Sequence, residues 1–162
     1  MADPANETVR YPFTSFNFAV EINVRDLSPK VCNASFQECD GLEMSMEPKT
    51  IREGGNNGAQ VRLTGPLSFG QLTLKRGMTA TFDLWDWFSG VLRDPGLRAD
   101  AEVVLLAQDG QTERARFVLK RCLPTKLKAP PLNAKDGVVA IEELQVAYES
   151  LTLKRPSTGG GA

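Results

Sequence analysis

Between Phe16 and Arg25 the chain alternates with a period of two. Phe16, Phe18, Val20, Ile22 and Val24 share one parity; Asn17, Ala19, Glu21, Asn23 and Arg25 share the other. Successive strand side chains point to opposite faces, so this pattern predicts a long β-strand with one dry face and one wet face. Such a strand needs a core or a partner behind its apolar side and neighbours along its edges.

The same period recurs downstream. Ser28-Pro29-Lys30 reads as a turn, and Ala34 to Glu47 as a second strand broken near Asp40-Gly41, with Leu42, Met44 and Met46 on its apolar parity. Gln60 to Thr64 predicts a short strand with Val61 and Leu63 inward. Leu72 and Leu74 open another, ending at Arg76-Gly77. Ala101 to Gln108 is an apolar run that Asp109-Gly110 turns back into Arg114 to Cys122, a hairpin signal. Lys126 to Pro131 reads as extended. In Val138 to Leu153, Val139 and Ile141 lie on one parity and Leu144, Val146 and Tyr148 on the other, which predicts a bulge near Glu142-Glu143.

One segment has a different period. Phe82, Trp85, Phe88 and Leu92 recur at three- and four-residue steps and predict a helix over Thr81–Asp94 with that stripe in the core. Thr79 or Thr81 is the expected cap, Asp83 and Asp86 suit the positive N-terminal end, and Pro95-Gly96 closes it. Trp85 is expected in the core and Trp87 at its rim or in a subunit contact. The fold class is therefore mainly β with one helix. Pairing strands between several copies into one barrel would close its open edges.

Composition narrows the chemistry. The 162 residues suit one domain, expected over 11–153 between a flexible leader, 1–10, and a glycine-rich tail, 154–162. Histidine is absent, which removes the commonest general base, the commonest metal ligand and every histidine-based triad. Cys32, Cys39 and Cys122 form no CxxC pair, and buried or half-buried free thiols are expected. The net charge of -1 argues against a dominant nucleic-acid role. No apolar run approaches the roughly 18 residues of a membrane span, and no secretory signal is visible, so synthesis in the cytoplasm is expected. No catalytic residue, cofactor or metal site is expected.

Two segments remain as candidate contact sites. After Pro48, the stretch Arg52, Glu53, Gly54, Gly55, Asn56, Asn57 and Gly58 has little side-chain bulk and tolerates positive φ. No Lys-Ser/Thr follows it and it opens onto no helix, so it is not a phosphate loop. A flexible contact arm is the better reading. Arg114, Arg116 and Lys120 share a parity: a solvated face, a channel lining, a seat on a neighbour, or the basis of a small polyanion- or glycan-binding module.

In order along the chain stand Phe16-Asn17-Phe18-Ala19-Val20-Glu21-Ile22, Phe36 to Gly41 (FQECDG), Ile51-Arg52-Glu53-Gly54-Gly55-Asn56-Asn57 and Leu72-Thr73-Leu74-Lys75-Arg76-Gly77. Leu84-Trp85-Asp86-Trp87, Leu132-Asn133-Ala134-Lys135 and Ala140-Ile141-Glu142-Glu143-Leu144 follow. This ordered set resembles the contractile-tail tube proteins, which include phage tail tubes and the inner tubes of extracellular contractile injection systems. The resemblance implies a non-enzymatic subunit that folds as an antiparallel β-sandwich or half-barrel. Six copies close into a ring whose long strands face a shared lumen, and rings stack into a conduit for payload inside a sheath. The implied partners are further copies, sheath protein, baseplate or spike proteins and cargo. The loop at 52–58 would reach a neighbouring subunit or ring, and the helix would pack outside. A tube initiator or adaptor ring at the baseplate is the alternative within the same particle.

Overall fold

A computed structural model describes residues 12–25, 32–34, 36–55 and 58–156. The expected leader 1–10, the Ser28–Lys30 turn, Asn56, Asn57 and residues 157–162 of the tail lie outside the described residues, as does the side chain of Cys32.

The strands are β1 (Phe18–Val24), β2 (Cys32–Ala34), β3 (Glu38–Asp40), β4 (Met44–Met46), β5 (Lys49–Ile51), β6 (Val61–Leu63), β7 (Leu67–Phe69) and β8 (Gln71–Gly77). The helix α1 (Asp83–Arg93) follows, then β9 (Ala99–Leu106), β10 (Glu113–Lys128), β11 (Ile141–Ala147) and β12 (Ser150–Lys154). Every pairing is antiparallel.

β10, at 16 residues, organises the body. Its first part pairs with β9 on one side and β12 on the other, and β9 carries β1 and then β2. Its last part pairs with β11, which carries β8 and then β3. One strand thus belongs to two sheets. It kinks between them at Arg121, whose φ of 53° is uncommon outside glycine. Among the described residues the sheet path is open, with β2 and β3 at its ends.

A single core joins the two sheets and the helix. Val20, Ile22 and Val24 of β1, Leu72 and Leu74 of β8, and Leu144 and Val146 of β11 are buried in it, together with Leu119 and Cys122 of β10. The parity expected for β1 and β8 is the parity observed, although β1 starts only at Phe18 and Phe16 is exposed. The Asp109-Gly110 turn forms as expected, with the Asp109 carboxylate accepting the Gln111 and Thr112 amides at 3.0 and 2.9 Å.

The last strand corrects its expected phase. No bulge lies at Glu142-Glu143. Glu142 keeps the buried parity of Leu144 and Val146, because Arg76 on β8 neutralises it there. The break falls at Tyr148-Glu149, where the Glu149 N–H reaches the Lys120 carbonyl at 3.1 Å and the chain passes from β11 to β12. Val138 and Val139, expected within the strand, precede it and are exposed.

Candidate assembly interface

At Gly41 the chain leaves the body. The φ there is +94°, and a Cβ would stand 1.8 Å from the Gln71 carbonyl oxygen, so only glycine permits the crossing. Beyond it, among the described residues, β4 pairs solely with β7, and β5 solely with β6. The two ribbons run in series. Met46 faces Leu67, but Lys49 faces Leu63, so Glu47-Pro48 opposes three residues, Thr64-Gly65-Pro66. This is a one-residue bulge at the proline, where the ladder loses a donor. Gly65 fits against Glu47, whose carbonyl oxygen would lie 1.6 Å from any Cβ added there.

The product is an arm. Every described residue from Glu43 to Thr64 is exposed. At about 3.3 Å per residue, the run from Glu43 to Gly54 spans on the order of 35 Å. Arg52, Glu53, Gly54, Gly55 and Gly58 form its tip.

This overturns the expected burial of Met44, Met46, Val61 and Leu63. Met44 is 58% exposed, and the other three are exposed as well. Alternation reports that one face is apolar; it does not say which chain covers it. In the inner ribbon Met44, Met46, Leu67 and Phe69 occupy one face, while the Ser45 and Ser68 hydroxyls bond at 2.7 Å on the other. In the outer ribbon Ile51, Val61 and Leu63 oppose the face of Thr50 and Arg62. Burying Met44, Met46, Leu67, Ile51, Val61 and Leu63 on a partner is worth on the order of 10 kcal/mol. Association itself costs a comparable ~4–15 kcal/mol, so the arm acts best as one of several contacts.

The helix is rotated from its expected position. The buried residues are Leu84 and Trp87, with Trp87 at 0% exposure, and Val91 packs against the core. Of the expected stripe, Phe82 is exposed, Trp85 and Phe88 are half-buried and Leu92 is 73% exposed. The apolar residues come in doublets (Leu84-Trp85, Trp87-Phe88, Val91-Leu92), and two stripes one residue apart differ by about 100° of rotation. Periodicity alone does not choose between them.

A buried ionic cluster supplies the choice. Arg76 sits against the Phe36 ring, 5.6 Å from its centroid, and gives its Nε–H to Glu142 at 2.7 Å. Its other nitrogens hold Asp83 at the helix start, and the Trp85 indole N–H donates to the second Glu142 oxygen at 3.1 Å. Neither threonine caps the helix. Their hydroxyls bond each other at 2.9 Å, and Phe82 occupies the cap position at φ 49°. In the sequence, opposite charges on the apolar parities of two strands, Arg76 with Leu72 and Leu74 and Glu142 with Leu144 and Val146, are the signal for this pair.

The basic stripe on β10 is largely neutralised. Arg116 binds Glu102 and Glu113, which drive its pKa upward, and Lys120 meets Asp100 at 3.1 Å. Arg114 is exposed beside the β9–β10 turn. Two of the three charges on this face are thus paired with carboxylates. Burial pushes the Cys39 and Cys122 thiols up to about 11 and about 12, so neither is primed as a nucleophile. Among the described residues no group of three or more His, Cys, Asp or Glu is placed to hold a metal ion, and no helix is long and apolar enough to cross a membrane.

Comparison with known proteins fits this architecture. A chain in the cryo-EM structure of the anti-feeding prophage (AFP) baseplate superposes with a TM-score of 0.78 at 25% identity, covering 90% of this chain and 97% of that one. A chain of the PVC sheath-tube complex, an extracellular contractile injection system in the extended state, gives 0.77 at 19% identity over 96% and 100%. A chain of the AFP tube-terminating cap gives 0.78 at 19% identity over the same shares. A search of curated protein sequences returned no match. The family model for the T4-like virus tail tube protein gp19 matches residues 14–152. The exposed arm on an open double sheet is accordingly carried by a chain that belongs to the T4-like virus tail tube protein gp19 family.

Proposed function

We propose that this chain is a structural subunit of the inner tube of a contractile injection system or phage tail. Six copies close a ring, and rings stack into a hollow conduit within a sheath, on a baseplate, assembled in the cytoplasm. The observation that carries this reading is the arm: a long exposed double ribbon with apolar faces that its own body leaves uncovered. Its tip, Arg52 to Gly58, reaches the adjacent subunit or ring. The open strands β2, β3 and β12 offer the remaining hydrogen-bonding edges, which pairing between copies would close. The β10 face of Arg114, Arg116 and Lys120 turns to the lumen or to a partner. Cargo in such a lumen would meet paired charges rather than one sign.

A second reading places the chain in a single initiator ring at the baseplate. Its support is the 25% identity with a chain of a baseplate structure, against 19% for chains of the sheath-tube and cap structures. Cryo-EM of the intact particle separates the two: many stacked copies mean tube, and one ring means initiator. A chain that stays monomeric even with its sheath and baseplate partners excludes both.

A further inference from the structure

We propose that Tyr148 is a positioning residue that sets the direction of the arm. Its consequence for assembly rests on the tube-subunit reading; its geometry does not. Tyr148 is 6% exposed and fills the break between β11 and β12, beside the β10 kink at Lys120-Arg121. From there it reaches the arm's root. Its ring lies 5.7 Å from that of Phe69, the last residue of the return strand, at an interplanar angle of 52°. Its hydroxyl donates to the Gly41 carbonyl at 2.7 Å and accepts the Glu43 N–H at 3.2 Å. The Glu43 carbonyl in turn takes the Gly70 N–H at 3.1 Å. One phenol therefore ties the outgoing strand to the returning one, at the point where both leave the body.

Among the described residues the arm past this root is held by its own strand pairing, since those from Glu43 to Thr64 are all exposed. It is a cantilever about 35 Å long, so a change of about 10° at the root moves the tip by about 6 Å. That exceeds the roughly 4.0–4.5 Å at which side chains touch, and contacts at the tip would be lost. Packing alone does not require the hydroxyl. Phenylalanine would fill the same core position but leave the Gly41 carbonyl without this donor.

Tyr148→Phe in the full chain tests the assignment by hydrogen–deuterium exchange on the monomer and by the concentration needed for assembly. Exchange over 41–47 and 67–71 should quicken roughly two- to tenfold, the worth of one hydrogen bond, with β9 and the rest of β8 unchanged. The assembly threshold should rise several-fold. Unchanged exchange at the root overturns the proposal, and so does uniform acceleration along the chain, which would make Tyr148 a general core residue. If the parent chain forms no rings at all, the tube reading falls, while the exchange result still decides the role of Tyr148.

Discussion

Arg76 and Glu142 stand opposite each other on β8 and β11, 3% and 2% exposed, with the guanidinium Nε 2.7 Å from the carboxylate. The pair occupies core positions that apolar residues hold elsewhere on the same strands. Glu142→Ala removes the buried carboxylate that compensates the Arg76 guanidinium and accepts the Trp85 indole N–H, leaving Asp83 in a half-buried position to hold the cation, so it should cost about 3–5 kcal/mol in urea unfolding. Replacing both at once, Arg76→Met with Glu142→Leu, should recover most of that loss. A single substitution costing under ~1 kcal/mol would mean that the cluster does not hold the helix.

The helix rotation is testable in the same way. Trp87→Ala should destabilise the fold by roughly 3–5 kcal/mol, the cost of emptying a buried aromatic site. Leu92→Ala, at an exposed position, should stay within ~0.5 kcal/mol. The reverse order would return the helix to the Phe82, Trp85, Phe88, Leu92 stripe.

The β9–β10 turn should respond to acid. Hydrogen bonds from the Thr112 hydroxyl, the Thr112 amide and the Gln111 amide hold the Asp109 carboxyl down at about 2, below its ordinary 3.8. A depressed carboxyl stabilises the folded turn above its unfolded pKa, and that contribution fades as pH falls from about 4 to about 2. Amide exchange at Gln111 and Thr112, corrected for intrinsic rates, should therefore lose protection across this window. Asp109→Asn should flatten the dependence.

Where one element packs against its own core, sequence pattern and structure agree. Val20, Ile22, Leu72 and Leu74 show this, because side-chain parity along a strand is geometric. Agreement ends where tertiary context decides. The helix doublets permit two rotations, and the Arg76–Glu142–Asp83 cluster selects between them with a carboxylate, Glu142, from a strand remote in sequence. Leu42, Met44 and Met46 read as a core strand, yet only Leu42 touches the core. The turn at Gly41 sends the rest away from it. Glycines at 54, 55 and 58 were legible as a soft loop, but not as the tip of a long ribbon pair, because the pairing of β4 with β7 and β5 with β6 spans the whole arm.

The proposed tube role makes the arm an assembly element independent of the fold. The direct measurement is analytical ultracentrifugation of the full chain and of a variant in which residues 49–63 are replaced by a short turn, each with its thermal midpoint. The expected result is ring-sized species for the full chain and a monomer for the variant, with midpoints within a few degrees of each other. Rings formed equally well without the outer ribbon of the arm, or a variant that fails to fold, would contradict it.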